Sequence, residues 1–390
     1  MDDNILTMLG GLVAQQQPPQ DISTDLQRSI VECSLQHGLG PMLYWSLKQH
    51  SYDVQSPELL PLVQATHRAA MKYALHEKAR SEINAALHDA EIPALWLKGA
   101  VLAETIYPEP TLRPMSDLDV LVPYEQRERA LEVVQGLGYD FYTRNALKPR
   151  RTDDELIAKL SHHYHLKGGT TNSVVLELHF RLVTYRDEMF SLEQLQWFWA
   201  QQQTLHLDEG AALITLTPDA HLIYLCAHAL LQHGEANLYL LRLFDLHQII
   251  TQTALNWDMI VEQTVTLGWT SAVGRALQLS MVYFTTPIPD GLLDLLVNRR
   301  PAHEDNSRVT RLTGAGNRWE RTRANLDAMS LREKSAYLYL LAVPTRSYMR
   351  QRYNIRPGWP TWPYYLYRWF DQSLDILQST WKRLSRQYED

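Results

Sequence analysis

The sequence predicts an α+β fold, with a small mixed β-sheet core and helices, flanked by a helical N-terminal region and a larger helical C-terminal domain. Apolar residues recur at steps of three and four before residue 90. Short apolar runs of strand length, bounded by Gly, Pro and polar residues, fill 91–190. From 192 onward the pattern is again that of helices. The predicted division is therefore 1–90, 91–190 and 191–390.

Composition is that of a globular protein, since 21% of the 390 residues are charged and 45% are hydrophobic. Only two cysteines are present, which excludes a disulfide framework and favours a reducing, cytoplasmic setting. The acidic N-terminus does not resemble a secretory signal, and no window of the sequence is long and apolar enough to predict a transmembrane segment. The net charge of −7 disfavours general nucleic-acid binding.

The first elements in chain order are helices over 21–88, followed by a short buried strand over 92–97. Lys98 and Gly99 then form a turn, and a helix begins at Ala100. Gly99 allows a phosphate to approach the backbone closely, and the free N–H groups of the helix N-terminus favour an anion. The segment is a candidate phosphate-binding site.

Asp117 and Asp119 precede and enter the next predicted strand, which is followed by a helix over 124–136. Residues two apart on a strand project from the same face, so the two carboxylates repel each other unless a cation compensates them. Mg²⁺ is the commonest such cation, and Mn²⁺ also accepts oxygen ligands. The alternative is a pair of solvated turn residues.

Glu177 lies in an otherwise apolar strand over 173–180, which a Gly-rich hairpin loop joins to a strand over 161–167. A buried carboxylate needs a partner, so Glu177 either faces solvent or shares a cation with Asp117 and Asp119.

Histidines surround this predicted hairpin. Alternation places His163 and His165 on one face of the first strand and His162 and Tyr164 on the other, so at most one pair lines the cleft. Such a pair would flank Glu177 and His179. A histidine there is a candidate base for an acceptor hydroxyl, although metal ions alone can activate a hydroxyl.

Lys-Gly-x-x-Leu at 98–102, Tyr107, Arg113 and Ser-Asp-Leu-Asp at 116–119 together resemble the uncharacterised nucleotidyltransferase family of the polymerase-β-like superfamily. More distantly, they resemble nucleotidyltransferase toxins of the abortive-infection type. The later Glu-Leu-His at 177–179 matches the third carboxylate of the superfamily. The resemblance covers about residues 74–182 and extends to 221–246. It departs at Ala100, where many members carry a serine that binds the triphosphate.

The resemblance implies a Mg²⁺-dependent transfer of an NMP from an NTP such as ATP to an unidentified acceptor, with release of pyrophosphate. The implied catalytic and metal-binding residues are Asp117, Asp119 and Glu177. The implied nucleotide-binding residues are Lys98, Gly99, Ala100, Arg113 and Ser116. For Arg113, the alternative is a surface cation that offsets the two aspartates.

Polar residues in the helical half form a second candidate cluster, which the resemblance places over the nucleotide. The spacing of these residues is equally compatible with histidines that only pack in the helical domain. It also allows Arg242 and Asp245, three apart on one helix, to pair with each other. The members of this cluster are Asp219, His221, His228, His233, Arg242, Asp245 and His247.

The sequence leaves the acceptor open between a small molecule, a peptide or protein, and tRNA. A toxin-like tRNA nucleotidyltransferase needs a basic groove, for which Arg144, Lys148, Arg150 and Arg151 are the candidates in the catalytic half. A non-catalytic module that binds a nucleotide or a partner is the other alternative. The presence of all three acids speaks against it.

The C-terminal stretch 359–370 is unusually aromatic and lies among basic residues between 346 and 386. Its rings are predicted either to cover the flank of the helical domain or, as a weaker alternative, to contact a membrane surface.

Overall fold

The computed structural model describes most of the chain and divides it into two compact units, 1–140 with 161–325 and 141–160 with 326–390. The described residues are 3–14, 23–50, 52, 56–141, 162–169, 173–183, 192–207, 212–235, 238–301, 331–343, 346, 349–350, 353, 355–356 and 358–370. The basic run at 144–151 lies outside them.

Helices precede the sheet of the first unit, as predicted, and within the described residues they are α1 (Asp3–Val13), α2 (Thr24–Gln36), α3 (Gly40–Gln49) and α4 (Leu60–Asp89). The Ser23 hydroxyl caps α2 by accepting a hydrogen bond from the Leu26 N–H. Proline follows the first residue of both α3 and α4, where a missing N–H costs nothing.

The sheet is mixed and has seven strands, which confirms the predicted fold class. They are β1 (Leu95–Leu97), β2 (Leu118–Leu121), β3 (Asp140–Phe141), β4 (His163–Gly168), β5 (Val174–His179), β6 (Gln202–His206) and β7 (Ala212–Leu216). Their order across the sheet is β3-β4-β5-β2-β1-β7-β6.

Strand pairing at the centre of the sheet positions the acidic residues. β2 runs antiparallel to β1 and parallel to β5, which sets Asp119 beside Leu97 on one side and beside Glu177 on the other. β4 and β5 form the predicted hairpin, with His163 opposite His179. Asp119 and Glu177, which are 58 positions apart in sequence, are therefore neighbours.

Further helices surround the sheet: α5 (Gly99–Thr105), α6 (Arg127–Gly136), α7 (Leu192–Ala200), α8 (Pro218–Ala227), α9 (Leu240–Gln252), α10 (Trp257–Leu267), α11 (Thr270–Phe284) and α12 (Leu292–Asn298). A π-helical turn, His228–His233, continues α8. The core that joins strands and helices includes Trp96, Phe198, Phe244 and Trp269, each almost fully buried.

The prediction that the chain is almost wholly helical after 192 is wrong for β6 and β7. Residues 202–206 are polar and exposed except for Leu205, and residues 212–216 form a short apolar run. Neither pattern distinguishes a strand from a helix. The strand conformation of residues 212–216 is instead set by the pairing of β7 with β1. The division at residues 90 and 190 stays a prediction.

The second unit contains α13 (Leu331–Ala342) and a small core around Met349 and Ile355. Several of its aromatic side chains are exposed, namely Trp359, Trp362, Tyr367, Trp369 and Phe370. Contact of this stretch with a membrane surface stays a prediction. Among the described residues, no helix is long and apolar enough to span a membrane.

Candidate active site

A cavity of about 510 Å³ opens in the first unit, where the sheet meets α2 and the helices that follow β7. Its size suits a nucleotide-sized ligand. It brings together most of the predicted site residues: Lys98, Gly99, Arg113, Ser116, Asp117, Asp119, His163, Glu177, His228, His233, Arg242 and Asp245. Ala100, His165 and His179 are not among its lining residues.

The three predicted carboxylates lie together in this cavity. Asp119 is buried within β2, Asp117 immediately precedes that strand, and Glu177 occupies the neighbouring position on β5. One ligand atom from each of Asp119, Glu177 and His179 lies within 4.8 Å of the others. Two carboxylate oxygens and one imidazole nitrogen form a donor set that a divalent cation accepts, and Asp117 lines the same cavity outside this group.

Lys98 compensates the acids. Its Nζ lies 2.6 Å from Asp119 Oδ1 and 3.7 Å from Glu177 Oε2. The same two carboxylates would also attract a metal ion. Burial alone would lower the pKa of Lys98, but the neighbouring carboxylates, above all Asp119, raise it. The ammonium group therefore stays charged.

The backbone at Lys98 is strained, because its φ of 49° and ψ of −131° lie in a region that glycine prefers. The backbone N–H of Lys98 donates to His221 Nε2 at 3.1 Å. This bond ties the β1–α5 turn to α8 and holds the lysine over the acids. His221 thus acts on the turn rather than lining the cavity.

His179 bridges two of the acids. Its Nε2 lies 2.9 Å from Asp119 Oδ1 and 3.4 Å from Glu177 Oε2. Burial would lower the pKa of His179, but the hydrogen bonds to these carboxylates raise it. Conversely, burial would raise the pKa of Glu177, but His163 and Lys98 lower it. Glu177 is thus held in the ionised form.

The prediction that strand alternation keeps His162 and His163 on opposite faces is wrong, because both line the cavity. β4 begins at His163, so His162 lies outside the strand and its side chain need not alternate with that of His163. A ring nitrogen of His163, Nδ1, lies 2.8 Å from His162 Nε2.

Arg113 is not a surface cation. It is buried, and its Nε and Nη2 donate to the two carboxylate oxygens of Asp245 at 2.8 and 2.6 Å. The Tyr107 hydroxyl donates to the same carboxylate at 2.7 Å. Asp245 therefore pairs with Arg113 and not, as its spacing had suggested, with Arg242.

Neighbouring side chains leave no space for a side chain at position 99, so this residue has to be glycine. A Cβ there would collide with the Arg113 guanidinium and lie 2.9 Å from Met115 Cγ. The next residue, Ala100, is buried and its carbonyl accepts a hydrogen bond from Arg80. Ser116 is exposed at the edge of the cavity.

The π-helical turn forms the wall that faces the acids. His228 Nε2 and His233 Nε2 lie 3.3 Å apart, and Gln232 also lines the cavity. Burial lowers the pKa of His233 to about 3, so the ring is neutral at pH 7. Beside this turn, the Arg242 guanidinium lies 5.2 Å from the centre of the Tyr239 ring.

Asp117 makes stability depend on pH. Burial, with the charges of Asp119 and Glu177, raises the pKa of Asp117 from 3.8 to about 6. The folded protein thus binds this proton more tightly than the unfolded chain, so this group's contribution to stability declines as pH rises from about 4 to about 6. Without added metal, Asp117→Asn should raise Tm by a few degrees at pH 7 and have little effect at pH 4.

Scanning calorimetry at both pH values measures this effect. Asp89→Asn, at an exposed position at the end of α4, is the matched control and should leave Tm nearly unchanged. Equal Tm values for Asp117→Asn and the wild type at pH 7 would contradict the assignment.

Several cavity-lining residues were not predicted from the sequence. His37 and Gly38, at the end of α2, line the cavity, as do Lys72 and Tyr239. His37 is held by α9, where the Leu240 N–H donates to its Nδ1 at 3.3 Å. Only Gly38, with a φ of 75°, carries a sequence signal, and that signal is for a helix end.

A family model described as "Uncharacterised nucleotidyltransferase" matches residues 24–285. The match covers two thirds of the chain and contains all the residues that line this cavity. No curated protein matches the sequence.

Proposed function

Because the chain belongs to the uncharacterised nucleotidyltransferase family, we propose that it transfers an NMP from an NTP to an acceptor and releases pyrophosphate. The observation that carries this proposal is the placement of Asp117, Asp119 and Glu177 beside Lys98 in one cavity of nucleotide size. We also propose membership of the polymerase-β-like superfamily, on the same three acids. A cytoplasmic location is part of the proposal.

Asp117, Asp119 and Glu177 would hold Mg²⁺, and the oxygen-rich set equally suits Mn²⁺. When bound, the metal neutralises the charge that develops on the transferred phosphoryl group. The lysine ammonium already placed between two of these carboxylates supports a cation at this position.

Lys98 has a second role in this proposal. With a nucleotide and metal bound, its ammonium would give up its contact with Asp119 and bind the β and γ phosphates, beside Gly99 and the first N–H groups of α5. Arg113 holds the turn in place through Asp245, while Ser116 is available to the phosphates or the sugar. His228, His233 and Arg242 line the opposite wall, where the nucleoside would lie.

His163 is the proposed base for the acceptor hydroxyl. Burial lowers the pKa of His163 to about 4, so the ring is neutral at pH 7 and keeps a nitrogen lone pair that can accept a hydrogen bond from the hydroxyl. Its Nε2 lies 3.6 Å from Glu177 Oε1, which would stabilise the imidazolium that forms. His165 and His179 remain accessory candidates.

Replacement of Lys98 should mainly weaken nucleotide binding. Lys98→Gln removes a phosphate contact made in the ground state, so we expect Kd for a non-hydrolysable NTP with Mg²⁺ to rise about tenfold or more. Isothermal titration measures it. Lys78→Gln, on the exposed face of α4, is the control. An unchanged Kd for Lys98→Gln would remove this residue from the nucleotide site.

The reaction class is tested with labelled nucleotides. Purified protein, Mg²⁺ and fractionated cell extract should transfer label from α-labelled NTP to an acceptor and form pyrophosphate. The labelled fraction also separates a small molecule, a protein and tRNA as acceptors. Label that moves only from the γ position, or binding without any transfer, would contradict the proposal and leave a kinase or a non-catalytic module.

A further inference from the structure

Three buried histidines converge at one end of the β4–β5 hairpin. His162 and His179 are almost fully buried, and the side chain of His163 is 17% exposed. One ring nitrogen from each lies within 4.8 Å of the others. We infer that His162, His163 and His179 bind a divalent transition-metal ion of the Zn²⁺ or Co²⁺ class, at a nitrogen-rich site that adjoins the carboxylates of Asp119 and Glu177.

The backbone holds these rings in place. The carbonyl of His162 accepts hydrogen bonds from the N–H groups of Phe180 and Arg181, at 3.0 and 3.1 Å. His163 and His179 are directly opposite each other in the β4–β5 ladder. The ring centres of His162 and His163 lie 5.3 and 5.0 Å from that of His179. Three nitrogen donors are thus gathered by two strands before any ion binds.

Outer contacts resemble those of metal-binding histidines. The Nδ1 of His179 lies 3.3 Å from the Arg181 carbonyl, which suits a ligand that donates its other ring N–H to the backbone. Glu177 Oε1, 3.6 Å from His163 Nε2, supplies a fourth donor or an outer partner. Three imidazoles with one carboxylate or water form a set that Zn²⁺ accepts in four-coordinate sites.

The donor atoms of the histidine cluster select a different metal from the Mg²⁺ proposed above. Imidazole nitrogens favour Zn²⁺ and Co²⁺, whereas Mg²⁺ prefers carboxylates and water. Glu177 touches both groups of ligands, so the two ions would form a two-cation centre. With an ion on His163, activation of the acceptor hydroxyl would pass from this histidine to the metal ions. The histidine site is nevertheless tested with metal alone, and its outcome does not depend on the transferase proposal.

Co²⁺ is the probe, because its visible absorption reports coordination. The full chain, stripped of metal with a chelator, is titrated with Co²⁺ without nucleotide. We expect one equivalent to bind with the absorption of a four- or five-coordinate ion, and millimolar Mg²⁺ not to displace it. His162→Asn and His163→Asn should each raise the Kd for Co²⁺ by more than about tenfold.

His165→Asn is the matched control, since His165 lies on the same strand but outside the cluster, and it should bind Co²⁺ like the wild type. Asp117→Asn should also retain the ion. X-ray absorption of the wild-type Co²⁺ protein should show scattering from three imidazoles, a measurement that needs no variant to fold. An ion bound without imidazole scattering, an affinity unchanged in both histidine variants, or no bound ion would overturn the inference and leave hydrogen-bonded packing histidines.

Discussion

Asp119→Asn should reduce nucleotidyl transfer by on the order of 10³-fold, the largest effect on activity that the proposed site predicts. Asp119 lies within hydrogen-bonding distance of both Lys98 and His179, and it would also be a metal ligand. The amide keeps the size of the side chain but loses its charge. Initial rates of pyrophosphate release at saturating nucleotide measure the loss.

The same substitution should lower the free energy of unfolding by about 1–3 kcal/mol, because it removes charged hydrogen bonds at a buried position. From the sequence alone, Asp119→Asn is expected to raise stability by relieving like-charge repulsion with Asp117; the hydrogen bonds of Asp119 reverse that expectation, and such relief is expected at Asp117. The exposed Asp89→Asn is again the control. Transfer within tenfold of the wild-type rate in a folded Asp119→Asn protein would refute its role.

Asp245→Asn should produce the largest loss of stability, about 3–5 kcal/mol, because it leaves the buried Arg113 guanidinium without a charged partner. The pair joins the loop before β2 to α9, and Tyr107 adds a third bond. Urea denaturation measures the change. Asp258→Asn, at an exposed position of α10, should be nearly neutral.

A double substitution distinguishes the ion pair from simple packing. Arg113→Met with Asp245→Leu removes both charges and should cost less than Asp245→Asn alone, since no unpaired charge then remains buried. If Asp245→Asn lowers the free energy of unfolding by less than about 1 kcal/mol, the Arg113–Asp245 pair does not stabilise the site.

Much of this site could be predicted from local sequence patterns. The run at 117–122 pointed to two acids at a strand, and Glu177 interrupted an apolar strand, so both could be predicted from periodicity and the cost of burying charge. Lys98 was placed at the turn by the glycine that follows it. All these residues lie in the cavity that the structure shows.

The partners of these residues could not be predicted from spacing. Arg113 and Asp245 lie 132 positions apart, and Lys98 and His221 lie 123 apart. No local pattern encodes such contacts, whereas the nearby Arg242 offered Asp245 an obvious false partner. His162 was misassigned for a related reason, because the first residue of a strand cannot be identified from alternation alone.

The pairing of β1 with β7 has a consequence for any shortened form of this protein. β1 is wholly buried and consists of Leu95, Trp96 and Leu97, with β2 on one side and β7 on the other. A fragment that ends at residue 190 would lack β7 and present this apolar strand as an open edge. Such an edge has no charge or proline to block pairing with another chain, so the fragment would be prone to aggregate. Solubility of the acid-bearing half is thus a property that residues 212–216 confer on it.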